Sequence, residues 1–210
     1  MSSTIAGAEN APTNTGLDAG KRTWLIASAC TGVVGAGFVA VPFVSSFSPS
    51  ERAKAAGAAV EVDISGLKAG EKMTVEWRGK PVWIVKRTPE QVAALNKLDG
   101  QLADPKSERK PSELTPEYAR NEARSRKPEI FVAVGICTHL GCSPSDKFTP
   151  GAQPSLPDDW AGGFLCPCHG STFDLAGRVF KNKPAPDNLE IPPHMFLSDS
   201  RLIIGEDTKA

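Results

Sequence analysis

The chain has no net charge: 24 lysines and arginines stand against 24 aspartates and glutamates in 210 residues. A balanced chain presents no basic surface of the kind nucleic acid demands, so no nucleic-acid partner is expected. Long apolar runs are missing except for one near the N-terminus. Elsewhere apolar residues come in short runs among frequent glycines (19) and prolines (18). That excludes a bundle of long soluble helices and predicts a mainly β protein. No internal repeat is visible. Cysteine (5) and histidine (3) are sparse, so their placement carries more than their number.

The one long apolar run is Trp24 to Val44, 21 residues without a charge. At the helical rise it spans roughly 31 Å, near the hydrocarbon thickness of a bilayer. A cleaved signal peptide would have a shorter apolar region and a small-x-small site after it. The best such site, Ser46-Phe47-Ser48, is followed by Pro49. The run is therefore read as an uncut transmembrane anchor over residues 23–45, after a polar tail over 1–22. Small residues Ser28, Gly32, Ala36 and Ala40 recur every four positions, a face that lets a partner helix approach closely in lipid. Lys21 and Arg22 precede the anchor, and Arg52 and Lys54 follow it, so basic bias alone does not orient it. Residues 46–59, rich in alanine, serine and glycine, read as a tether to a domain over 60–210.

In that domain Val60–Ile64 and Met73–Trp77 alternate like half-buried strands, Arg78–Pro81 reads as a turn, and Val82–Val85 returns. Thr88-Pro89-Glu90-Gln91 opens a helix with a capping box, and Thr115-Pro116-Glu117 predicts another. The charged stretch 99–114 is expected to be a surface loop. Ile130–Ile136 reads as a buried strand leading to the first cysteine, and Arg201–Gly205 as the closing strand. Cys30 reads as a small filler within the anchor, His194 as structural, and Trp77 and Trp83 as core.

Two hexapeptides hold most of the metal-binding chemistry: Cys137-Thr138-His139-Leu140-Gly141-Cys142 and Cys166-Pro167-Cys168-His169-Gly170-Ser171, with 23 residues between them. Each offers a thiolate and an imidazole within three positions, so each can wrap one side of a metal centre. Zinc also takes two cysteines and two histidines, usually with like residues paired. Here each loop mixes the two, and each holds one cysteine more.

This pattern resembles the Rieske family, in its disulfide-bearing branch, and the order of tail, anchor, tether, domain and boxes resembles the iron–sulfur subunits of quinol–cytochrome c oxidoreductases. The resemblance implies a Rieske-type antiparallel β-sandwich with a small cluster-binding subdomain, its loops within about 135–186, behind one N-terminal transmembrane helix. It implies one [2Fe–2S] cluster, with Cys137 and Cys166 on one iron and His139 and His169 on the other. It also implies a Cys142–Cys168 disulfide, which persists only outside a reducing cytosol. That places the domain on the periplasmic side of a bacterial inner membrane, with the N-terminus inside. Leu140 resembles the residue that shields the cluster between its histidines. Ser171 resembles the serine that donates to a cluster sulfur, and Pro184-Ala185-Pro186 the loop that covers the remaining side.

Two positions depart from the family. Phe173 stands where high-potential members carry a tyrosine that donates to a cysteine sulfur, so a lower midpoint potential is expected. Lys183 replaces a glycine before the proline loop. Lys21-Arg22 also stands where the family often has the paired arginines of an export signal. The implied partners are cytochrome b, cytochrome c1, ubiquinol and membrane lipid. His169 is the implied quinol contact, and catalysis belongs to the assembled complex. The alternative is a Rieske carrier of another periplasmic redox enzyme, such as an arsenite-oxidase-type small subunit.

Overall fold

A computed structural model describes residues 18–51, 57–109 and 114–208. Residues 1–17 of the expected tail (1–22), the centre of the expected tether (52–56) and residues 110–113 of the charged stretch lie outside the described residues. The chain divides into two units, Met1–Ser50 and Glu51–Ala210.

In the first unit, helix α1 runs over Ala19–Ser45, 27 residues, roughly 40 Å at the helical rise. It begins ahead of the apolar run because the Asp18 carboxylate caps it, accepting from the Gly20 and Lys21 amides at 3.0 and 3.4 Å. Its buried-type side chains face outward: Trp24, Val33, Phe38 and Val39 are all more than 70% exposed. Thr23 and Thr31 return their hydroxyls to the Ala19 and Ala27 carbonyls, which satisfies them within the helix as a hydrocarbon surrounding requires. Cys30 is exposed on this helix.

Among the described residues, the second unit holds nine short strands in three antiparallel sheets of three. The first sheet joins β1 (Val60–Asp63) to β9 (Arg201–Ile204) and β9 to β8 (His194–Phe196). The second runs β2 (Lys72–Trp77), β3 (Lys80–Lys86), β4 (Ile130–Val134). The third runs β5 (Ser145–Lys147), β6 (Gly163–Leu165), β7 (Thr172–Asp174). The expected strands at 60–64, 73–77, 82–85, 130–136 and 201–205 all lie on these elements, within two residues at their ends.

The middle sheet explains why its strands read as nearly continuous apolar runs. Successive side chains of a strand point to opposite faces, and here both faces are covered. Val82, Ile84, Ile130, Val132 and Val134 join Val62, Trp77, Leu202 and Ile204 in one core. Trp83, Val85, Phe131 and Ala133 join Phe164, Phe173, Val179, Leu189, Ile191 and the two cysteines Cys137 and Cys166 in another. Each fully buried aliphatic side chain contributes roughly 1.5–3 kcal/mol, so the sheet is the common wall of both cores. Trp83 stacks on Phe164 with centroids 4.8 Å apart. Gly135, just after β4, lies against that indole, and a methyl group there would overlap it.

Helix α2, Pro89–Leu95, starts as expected: Thr88 Oγ1 accepts from the Gln91 amide and the Gln91 side chain accepts from the Thr88 amide. Two expectations are corrected. Thr115-Pro116-Glu117 opens only a three-residue 3₁₀ turn, Glu117–Ala119. The Asn121 amide donates to the Tyr118 and Ser125 carbonyls, and such side-chain bonds to the backbone compete with helix propagation. The 99–114 stretch is no mere surface loop. Leu102 is buried and bridges to Phe180, while Asp104 and Ser107 are buried.

Three arginines lie wholly inside the domain, which its composition did not foretell. Arg178 pairs with buried Asp174 at 2.8 Å and with Asp99 at 2.9 Å. Arg124 donates to the Ala176, Gly177 and Leu189 carbonyls. Arg87 donates to the Ala123 and Leu175 carbonyls and to Ser125 Oγ. Burial pulls the Arg87 and Arg124 guanidiniums down to about 10 and about 9, so both stay cationic at neutral pH. They act as clamps on backbone carbonyls that no strand partner reaches.

Candidate metal centre

The two boxes fold into the same closed turn. In the first, the Cys137 amide donates to the Cys142 carbonyl at 2.8 Å and the Gly141 amide to the Cys137 carbonyl at 3.1 Å. In the second, the Cys166 amide donates to the Ser171 carbonyl at 2.8 Å and the Gly170 amide to the Cys166 carbonyl at 3.0 Å. Each turn needs a left-handed residue four positions after its cysteine. Gly141 supplies it at φ 82° and Gly170 at φ 72°, where residues with a Cβ are disfavoured. The sequence reading passed over these two glycines, although their shared spacing from Cys137 and Cys166 was the available signal.

The turns bury the thiols and leave the imidazoles nearer the surface. Cys137 and Cys166 are free thiols, each only 2% exposed. Burial pushes the Cys137 thiol above its ordinary value and the neighbouring Cys166 acts the same way, while the His139 amide and the Ser171 hydroxyl pull it back. Buried sulfurs of this kind ionise readily only against a cation. His139 is half-buried and His169 exposed; their rings meet edge to face with centroids 4.8 Å apart. Leu140, within box one, is 71% exposed.

Cys142 and Cys168 form a disulfide, Cα to Cα 6.7 Å, that ties one box to the other. The sulfurs of Cys142, Cys166 and Cys168 lie within 4.8 Å of one another, but two of them are joined to each other, which leaves Cys166 alone as a thiolate donor. Two buried thiols and two adjacent imidazoles, drawn from opposed loops, are a donor set that fits a two-iron cluster with sulfur on one iron and nitrogen on the other.

The proline loop is fastened to both boxes. Thr138 Oγ1, inside box one, donates to the Asp187 carbonyl at 2.6 Å. The Ala185 amide donates to Ser171 Oγ, at the end of box two, at 3.0 Å. Thr138 was not singled out in the sequence; nothing in its spacing distinguishes it from a solvent-facing residue. Phe173 is fully buried on β7, opposite Phe164 and in the core that holds both ligand-type cysteines. Lys183 is exposed. His194 lies on β8, far in sequence from the boxes and hydrogen-bonded to Tyr118 and to the Pro192 carbonyl, a structural role as expected. Trp77 and Trp83 are core residues.

Residues 119–193 match the Rieske [2Fe-2S] domain family. Residues 24–50 match the family described as ubiquitinol-cytochrome C reductase Fe-S subunit TAT signal, a match that begins just after Lys21-Arg22. The chain is 56% identical over 188 residues to a ubiquinol-cytochrome c reductase iron-sulfur subunit of Allochromatium vinosum, covering 89% of this chain and 88% of that one. A subunit of the same description from Rhodospirillum rubrum is 36% identical over 203 residues, 96% of this chain and 100% of that one. The mitochondrial cytochrome b-c1 complex subunit Rieske-1 of Nicotiana tabacum is 41% identical over 164 residues, 78% of this chain and 54% of that one.

Proposed function

Because this chain belongs to the ubiquinol–cytochrome c reductase iron–sulfur subunits, whose Rieske domain carries one [2Fe–2S] cluster and transfers electrons, we propose that Cys137, His139, Cys166 and His169 are the cluster ligands. Cys137 and Cys166 hold one iron, His139 and His169 the other. The observation that carries this is the pair of matching turns, which bury both thiols and bring the two imidazoles into contact. Bound there, the cluster supplies a one-electron acceptor whose potential is raised because neutral imidazoles replace two thiolates.

His169 is the quinol contact. It is exposed where His139 is half-buried, so its outer ring nitrogen can accept a hydrogen bond from a ubiquinol hydroxyl and take up that proton. Leu140 shields the cluster between its histidines, and the Ser171 hydroxyl donates to a cluster sulfur. The partners are cytochrome b, where quinol is oxidised, and cytochrome c1, which receives the electron. Turnover belongs to the assembled complex.

The chain is arranged as tail (1–22), anchor (23–45), tether (46–59) and cluster domain (60–210). Helix α1 crosses the inner membrane once, in contact with lipid, its small-residue face toward a partner helix. The Cys142–Cys168 disulfide supports a periplasmic domain, since such a bond persists in an oxidising compartment. The tether lets the domain move between the two cytochromes. The 56% identity to a reductase subunit favours this reading over the arsenite-oxidase-type carrier.

Purification from membranes tests it. Cytochromes b and c1 should accompany the chain, and the reduced protein should give a [2Fe–2S] electron-spin resonance signal. His169→Asn should stop quinol-dependent cytochrome c reduction. A colourless protein that holds zinc and brings no cytochrome would overturn the proposal.

A further inference from the structure

The segment 102–109 is bonded to the proline loop and the residues after it, and nothing in the proposed electron transfer uses it. It is held firmly to the body of the domain. Leu102 bridges to Phe180, the Ala103 amide donates to the Val179 carbonyl at 2.9 Å, and Arg178 reaches the Pro105 carbonyl at 3.4 Å. Its own turn is closed by the buried Asp104 carboxylate, which accepts from the Glu108 and Arg109 amides at 2.9 and 3.0 Å. Ser107 sits inside that turn at φ 56°, a conformation that a residue with a Cβ keeps only where its surroundings fix it.

Asn188 joins this turn to the proline loop. Its Nδ2 donates to the Asp104 carbonyl at 2.8 Å and to Ser107 Oγ at 3.1 Å, while its Oδ1 accepts from the Val179 amide at 2.9 Å. Arg109 Nη1 adds a bond to the Pro186 carbonyl at 3.0 Å. The loop so held carries Ala185, which is buried, and whose amide donates into Ser171 Oγ at 3.0 Å. A hydroxyl has one proton to donate. With its oxygen already accepting from Ala185, the buried Ser171 hydroxyl keeps its proton to offer to a cluster sulfur.

We propose that the Asp104–Arg109 turn and Asn188 form a latch that positions the Pro184-Ala185-Pro186 loop, and through Ala185 fixes the Ser171 hydroxyl as a donor to a cluster sulfur. Asn188 and Arg109 are then positioning residues that set the cluster's midpoint potential without touching it. The inference rests on the two boxes holding the cluster. Hydrogen bonds to cluster sulfurs stabilise the more negative, reduced form, so loosening the latch lowers the potential.

Redox titration of the membrane complex, followed by the electron-spin resonance signal of the reduced centre, tests the latch. Asn188→Ala removes three buried bonds and Arg109→Ala one exposed bond. Asn188→Ala should shift the redox equilibrium roughly three- to tenfold toward the oxidised form, tenfold being about 59 mV for one electron. Arg109→Ala should shift it less, in the same direction. In a Ser171→Ala background neither variant should add a further shift, because the bond they orient is gone. Unchanged potentials in the single variants would overturn the latch, as would a shift of the same size with Ser171 absent. If Asn188→Ala does not fold, Arg109→Ala decides alone, since it alters only an exposed contact. The wild-type signal checks the ligand assignment separately, so the two failures are distinguishable.

Discussion

Box one and box two share a backbone but not an environment. Both close with an amide of the leading cysteine and a left-handed glycine, and both bury that cysteine to 2%. Their histidines then part. His139 sits two positions after its cysteine and is half-buried, whereas His169 sits three positions after and is exposed. Box one runs on into β5 and is pinned through Thr138 to the proline loop. Box two ends in β7, whose next residues feed the buried Asp174–Arg178 pair. One shift of a residue within a common turn thus separates a half-buried imidazole from an exposed one.

The disulfide is where that comparison breaks most easily. Cys142→Ser leaves each turn its own hydrogen bonds but unties the loops, across a separation of 26 residues. Losing such a link costs roughly 2–5 kcal/mol. Urea denaturation should show that loss, with faster release of iron to a chelator. Full retention of stability would mean that the boxes do not need each other.

The contrast between exposed and buried imidazoles extends to the third histidine. His194 is wholly buried, and burial lowers its pKa from 6.5 to about 4. Above pH 6.5 it is neutral whether folded or not. As pH falls from 6.5 to 4 the unfolded chain takes up a proton that the folded one refuses. Stability therefore declines through that window, by about 3 kcal/mol in total, and this contribution levels off below it. Denaturation midpoints measured from pH 7 down to pH 4 check this, and His194→Gln should flatten that part of the curve.

The two glycines sharpen the likeness of the boxes. A Cβ at Gly141 or at Gly170 meets nothing within 4 Å, so only the left-handed backbone opposes it. Gly141→Ala and Gly170→Ala should each cost about 1–2 kcal/mol, and nearly the same amount. Unequal values would show that the turns differ in more than their surroundings. The smallest effect belongs to box two alone. Phe173→Tyr should raise the midpoint potential, by up to about 59 mV or tenfold in the redox equilibrium, because the added hydroxyl can donate to a cluster sulfur. An unchanged potential would show that Phe173 does not account for a lower value.

Much of this protein is fixed locally and can be read along the chain. A 21-residue uncharged run can only be satisfied as a helix in an apolar surrounding. Thr88-Pro89-Glu90-Gln91 holds its whole cap within four residues, and the alternation of β2 follows from one covered face. The proposed ligand residues stand out along the chain because their chemistry is rare and closely spaced. Other features depend on residues far apart. Asn188 meets Asp104 across 84 positions and Arg124 meets Leu189 across 65, so nothing near either residue in sequence marks it. Arg87, Arg124 and Arg178 read as surface charges until the fold supplies the carbonyls that surround them. The Thr115 turn stops short where the Asn121 side chain bonds to nearby carbonyls and Tyr118 turns to Pro192 and His194, partners that the local sequence does not name. The spacing of the two boxes decided the chemistry this chain can hold. The packing around them decided which imidazole faces outward, since exposure is a property of everything folded against a residue and not of its neighbours along the chain.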